Sequence, residues 1–174
     1  DLPDRASGAA LFADISGFTP LTEALVQELG PRRGAEELTR QLNTVYGALI
    51  AEVDRYGGSV ISFSGDAITC WFEGDDGLRA TACALTLQQV MGQFAEVEIP
   101  FGKPASLAIK VAVTAGPARR FLVGDPQIQY IDVLAGATLE RMALAEKQAR
   151  KGEVVVGAEV IAQLSGKVKI GEWR

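Results

Sequence analysis

Apolar positions change period several times along this chain, and each change marks an element. Ala9-Ala10-Leu11-Phe12-Ala13 is a short, continuous apolar run, which predicts a buried strand interrupted by Asp14. A tight Ser16-Gly17 loop follows. Thr19-Pro20 then predicts a helix start, with Thr as N-cap and Pro at the first helical position. Leu21, Leu25 and Leu29 line one face of that helix until Gly30-Pro31 stops it. Helical spacing of Leu38, Leu42, Val45, Leu49 and Val53 predicts a second helix over residues 34–56, ended by Gly57-Gly58. Strands over 59–64 and 67–72 flank Gly65-Asp66, which fits a two-residue hairpin turn. A third helix is predicted over 76–94. Alternation predicts a strand over 107–115, a reversal at Gly116-Pro117 and a return strand over 118–123. A strand over 128–133, a helix over 136–150, a strand over 154–156, a short helix over 158–164 and a last strand over 168–170 complete the pattern. Strands and helices alternating around a hairpin predict an α/β (α+β) sandwich with a mixed sheet.

The 174 residues are one domain, 1–174, large enough for a substantial core. A hydrophobic fraction of 48% with 22% charged residues is that of a globular protein. The net charge of −5 argues against a duplex nucleic-acid binder, which needs a basic stripe. No apolar run is long enough to span a bilayer, and no signal-peptide pattern opens the chain. Cys70 and Cys83 lie in a predicted strand and a predicted helix, as reduced core thiols of a cytoplasmic protein would. The first residue is Asp1 rather than Met, so the chain is expected to be a fragment of a longer polypeptide. Histidine is absent, which removes Ser-His-Asp and Cys-His catalysis. Any metal must be held by oxygen.

The carboxylates that could do so are Asp14, where a buried strand is interrupted, and Asp66, in the hairpin turn. A buried, unpaired carboxylate is costly and seeks a cation or a proton. If the two strands are neighbours, Asp14 and Asp66 meet and suit a hard divalent cation such as magnesium. Between them, Ser16-Gly17-Phe18-Thr19 leads into a helix N-terminus, whose free N–H groups suit phosphate. Taken singly, Asp66 reads as a turn residue, Asp14 as an N-cap or hydrogen-bonded acid, and Thr19-Pro20 as a plain helix start. Together they describe a phosphoryl or nucleotidyl transfer site with two metals, serving the attacking oxygen and the leaving pyrophosphate.

With those residues in place the sequence resembles the class III adenylyl and guanylyl cyclases. The matching segments are residues 11–19 (Leu-Phe-Ala-Asp-Ile-Ser-Gly-Phe-Thr), Tyr56-Gly57-Gly58, Gly65-Asp66-Ala67 and Thr114-Ala115-Gly116, in the family's order and over nearly the whole chain. Residues 33–38 and 122–125 bring it nearest the first catalytic half of the soluble, bicarbonate-responsive adenylyl cyclases. The resemblance implies a ferredoxin-like core, a mostly antiparallel sheet with helices packed on it, and a dimer with the active site between halves. It implies that Asp14 and Asp66, with the Ile15 carbonyl, hold two Mg2+ or Mn2+ ions. Gly17, Phe18 and Thr19 would cradle the triphosphate. ATP (or GTP) would be the substrate, and cyclic AMP and pyrophosphate the products.

The chain departs from the family pattern in the other half of the site. Ser62 stands where the family often has a base-reading Lys, a change that also speaks against bicarbonate binding in this half. The family's ribose-orienting Asn and transition-state Arg fall on Leu139 and Ala143, or on Glu140 and Leu144 with a shift of one. Asp132 lies near the purine-reading position, and Arg141 reads as an exposed helix arginine. The resemblance therefore implies a metal-bearing half that needs a complementary cyclase domain, as a hetero- or tandem dimer. The alternatives are a cyclase-like regulatory or dimerisation domain without turnover, and another two-metal nucleotidyl transferase.

Overall fold

The computed structural model describes residues 4–99, 102 and 104–174. In chain order its elements are β1 (Ala6–Ser16), α1 (Phe18–Leu29), α2 (Pro31–Arg55), β2 (Ser59–Ser64), β3 (Ala67–Glu73), α3 (Leu78–Met91), β4 (Ala108–Asp125), β5 (Gln129–Ala135), α4 (Ala137–Gln148), β6 (Val154–Val156) and α5 (Ile161–Leu164). The sheet runs in the order β2-β3-β1-β4-β5, and β6 adds to β4 in parallel. All other pairings are antiparallel. The inner order β2-β3-β1-β4, with α1 and α2 after β1 and α3 after β3, is the expected ferredoxin-like core.

β1 has a neighbour on each side. It pairs with β3 from Gly8↔Glu73 to Asp14↔Ala67, and with β4 from Ala6↔Ala118 to Ser16↔Ala108. Its backbone is thus used on both edges, and Asp14 does not end it, contrary to the sequence expectation. Successive side chains of a strand point to opposite faces. Ala9, Leu11, Ala13 and Ile15 enter the larger core with Leu21, Leu25, Val45, Leu49 and Leu87 from the helices. Ala6 and Ala10 enter a second, smaller core with Trp71, Ala112 and Met142, beneath α4. Each fully buried Leu contributes about 1.5–3 kcal/mol, so the larger core dominates stability.

Four further elements differ from the sequence reading. Gly116-Pro117 does not reverse the chain, because β4 runs through it as one 18-residue strand. Gly116 takes φ +145°, and Pro117 stays opposite Ser7. The Thr138 hydroxyl donates to the Pro117 carbonyl at 2.7 Å, which ties that position to α4. Thr19 is not the N-cap of α1; Gly17 is, in the left-handed region, and Pro20 falls in the first turn. α2 begins at Pro31 itself, directly after the C-cap Gly30, since proline's fixed φ suits the first helical position. Residues 168–170 form no strand: the Val168 N–H turns back to the Leu164 carbonyl at 3.3 Å.

Both cysteines are free and buried, as expected of core thiols. Burial pushes the Cys83 thiol up to about 12 and Cys70 in the same direction.

Asp75 holds the start of α3. It is buried, and its carboxylate accepts from the Arg79 N–H at 3.1 Å and the Ala80 N–H at 2.9 Å. Asp75→Ala removes both acceptors from helix-end amides. The expected loss is about 1–2 kcal/mol, measurable by urea denaturation.

Candidate active site

Pairing registers decide what faces the end of β1. The Ile15 N–H donates to the Asp66 carbonyl at 3.1 Å, which ties the β2–β3 turn to the strand carrying Asp14. Asp14 sits opposite Ala67, the residue after Asp66. The two aspartates therefore share one corner, Asp66 exposed and Asp14 half-buried. Asp14 is carried by a strand, and Asp66 by a two-residue turn hydrogen-bonded to that strand. Tyr46 of α2 faces the same corner: its hydroxyl reaches the Gly65 carbonyl at 3.5 Å. Its ring packs edge-on against Phe63 with centroids 5.6 Å apart. Burial raises the Tyr46 phenol above its ordinary range, and the charges of Asp66 and Asp14 add to the rise.

Gly17 connects this corner to α1. A Cβ there would come within 2.2 Å of the Ser106 carbonyl, and φ is +111°. The missing side chain thus admits the neighbouring chain segment, and the left-handed cap turns β1 directly into the helix. The first intrahelical bond is Leu21 N–H to Gly17 O at 3.1 Å. The amides of Phe18 and Thr19 are consequently not used within α1. Phe18 has its ring in the core, so only its backbone can meet a ligand; Thr19 is exposed.

A cation that the sequence reading missed completes the corner. Asp14 pairs with Lys110 across β1 and β4. Lys110 Nζ lies 3.3 Å from Asp14 Oδ2 and donates to Glu146 Oε1 of α4 at 2.5 Å. Its ammonium is held above the ordinary lysine range, chiefly by the Glu146 hydrogen bond and further by Asp14, against the opposing effect of burial. The available signal was a lone charge between the buried residues Ile109 and Val111. Placing it beside Asp14 required the register. Among the described residues no three metal-ligating side chains cluster, so the protein's own donors are few.

The other residues singled out in the sequence lie elsewhere. Asp132 takes Arg120 Nε at 3.1 and 3.0 Å and Nη2 at 2.6 Å, so its carboxylate is occupied by a partner within the β4–β5 hairpin. Arg141 is not simply an exposed helix arginine. Its Nη2 donates to the Ala115 carbonyl at 2.9 Å and to Thr138 Oγ1 at 3.2 Å, and Glu159 lies 3.5 Å from Nε. Leu139 packs on the smaller core, while Ala143, Glu140, Leu144 and Ser62 are exposed.

Comparison with known proteins gives the chain its relatives. The family model for the adenylate and guanylate cyclase catalytic domain matches residues 5–172. The adenylate cyclase type 10 of Rattus norvegicus is 27% identical over 162 residues, covering 88% of this chain and 10% of that protein. The human counterpart is 26% identical over 156 residues, again covering 88% of this chain and 10% of the relative. The chain thus spans about a tenth of the length of the curated relatives it matches. Among solved structures, the adenylyl cyclase CyaB from P. aeruginosa superposes with a TM-score of 0.74 at 20% identity, over 95% of this chain and 83% of that one.

Proposed function

Because the chain belongs to the adenylate and guanylate cyclase catalytic-domain family, we propose that it is the carboxylate-bearing half of a composite adenylyl cyclase site, converting ATP to cyclic AMP and pyrophosphate together with a second cyclase domain. The observation that supports this reading is the corner where the Ile15 N–H reaches the Asp66 carbonyl beside Asp14, on the strand that leads through Gly17 into the Phe18 and Thr19 amides not used within α1. The similarity to the type 10 adenylate cyclases favours ATP over GTP.

The donors at that corner are all oxygen. Two carboxylates and a backbone carbonyl fit hard cations that complete their shell with water and phosphate oxygens. Asp14, Asp66 and the Ile15 carbonyl would hold Mg2+ or Mn2+. Bound there, the ions would supply charge neutralisation on the phosphates and ease deprotonation of the attacking hydroxyl. The α1 N-terminus and its dipole would receive the triphosphate through the Phe18 and Thr19 amides. In the reaction the ribose 3′-oxygen bonds to the α-phosphorus and loses its proton, and the bond from the α-phosphorus to the bridging oxygen breaks, releasing pyrophosphate.

The chain offers no ribose-orienting amide or transition-state guanidinium at the family's positions, since Leu139, Ala143, Glu140 and Leu144 cannot do that chemistry. A complementary domain would bring them. Exposed apolar side chains on the β4–β5 arm, Leu122, Val123, Ile128, Tyr130 and Ile131, give such a partner a surface, with Ile128 85% exposed.

Cyclic AMP production from Mn-ATP, by this chain alone and by the chain with a complementary cyclase domain, tests the reading. Turnover is expected in the combination, and the lone chain should be slower by at least about a hundredfold, the typical cost of one missing transition-state donor. Equal rates would overturn the composite site. A linear or dinucleotide product would indicate a different transferase. Inactivity in both would indicate a cyclase fold kept for assembly.

A further inference from the structure

Lys110, Asp14 and Glu146 form a row of alternating charge that the reaction above does not use. Three elements build it: β1 carries Asp14, the antiparallel register sets Lys110 of β4 opposite it, and α4 lays Glu146 over the same face. The ammonium touches both carboxylates, Glu146 at 2.5 Å and Asp14 at 3.3 Å. All three side chains are about one-quarter to one-third exposed, so the stem of Lys110 has room to shift between partners. An ammonium beside Asp14 neutralises part of the charge that a divalent ion would need, and repels that ion as well. Glu146 offers the ammonium a second, closer anion.

We propose that Lys110 is a resident counter-ion of Asp14, and that Glu146 draws it aside when a divalent ion arrives, so that the Lys110–Glu146 pair sets the metal affinity of the site. This rests on reading Asp14 as a metal ligand. Glu146 is then a positioning residue that acts only through Lys110.

The test is Mn2+ binding to the purified chain without nucleotide, read from the electron paramagnetic resonance signal of free Mn2+. Lys110→Gln should bind Mn2+ about three- to fivefold more tightly, since it removes a partly buried like charge beside the ion. Lys110→Met, with the aliphatic stem retained, should do the same. Glu146→Gln should weaken binding about fivefold, because the ammonium then rests wholly on Asp14. In the Lys110→Gln background Glu146→Gln should change affinity less than about twofold, since the partner through which it acts is gone. Equal or weaker binding in both Lys110 variants, with Asp14→Asn still losing Mn2+, would overturn the proposal and leave the metal reading standing. So would an equal Glu146→Gln effect with and without Lys110, which would make it a direct charge effect. Unchanged binding in Asp14→Asn would remove the metal reading, and the proposal with it.

Discussion

Asp14→Asn is expected, on the function proposed above, to lower cyclic AMP formation by the chain combined with a complementary cyclase domain at least about a hundredfold, with little change in fold stability. The size follows from the donor set. With two carboxylates at the corner, removing one halves the charge available to a divalent ion, and metal stabilisation of transferring phosphates contributes several kcal/mol. The small effect on stability follows from the surroundings of Asp14. Its side chain is 31% exposed, and Lys110, its one ion-pair partner among the described residues, keeps Glu146 as an alternative partner. Half-exposed pairs of this kind are worth about 0–1 kcal/mol. Turnover with Mn-ATP and thermal unfolding of the same preparation separate the two effects. Full activity in Asp14→Asn would rule out a role for this carboxylate in turnover.

Gly17→Ala should destabilise the fold by about 3 kcal/mol and disturb the same corner. Two independent costs combine. An alanine at φ +111° leaves the region open to L side chains, and its Cβ would meet the Ser106 carbonyl at 2.2 Å and Leu107 Cδ2 at 3.0 Å. A backbone oxygen cannot move aside as a side chain can, so the turn from β1 into α1 must shift. For a domain of this size the melting temperature should fall by about 6–12 °C. The shift also displaces the Phe18 and Thr19 amides, so on the proposed function the residual folded protein should show a raised KM for ATP. An unchanged melting temperature would mean that the turn tolerates a different cap.

Much of this architecture is legible in one dimension because it depends on periodicity. The helical spacing of Leu38, Leu42, Val45, Leu49 and Val53 produces the buried stripe of α2, and the Ser59–Ser64 and Ala67–Glu73 strands flank the Gly65-Asp66 turn as the pattern predicts. Local signals failed where a neighbour settled the outcome. Gly116-Pro117 carries every mark of a reversal, yet Ser7 and the Thr138 hydroxyl hold it in a continuous strand. Thr19-Pro20 looks like a cap and first turn, but the left-handed Gly17, fitted against Ser106, starts the helix earlier. Asp14 looks like a strand end, but β3 and β4 pair on both sides of it. The valine and isoleucine at 168 and 170 resemble a strand, but that segment begins as a turn off α5.

The candidate site divides in the same way. Asp14, Asp66 and the Gly17-Phe18-Thr19 turn are candidates on residue type and spacing alone, since the chemistry of a carboxylate or a helix end belongs to a few consecutive residues. Whether charges far apart in sequence face one another depends on strand register and on which helix covers which face. Those are set by the packing of the whole core and leave no mark in any local window. Only the folded chain therefore gives Asp14 the company of Lys110, turns Glu146 toward that ammonium, commits Asp132 to Arg120 and draws Arg141 onto the Ala115 carbonyl.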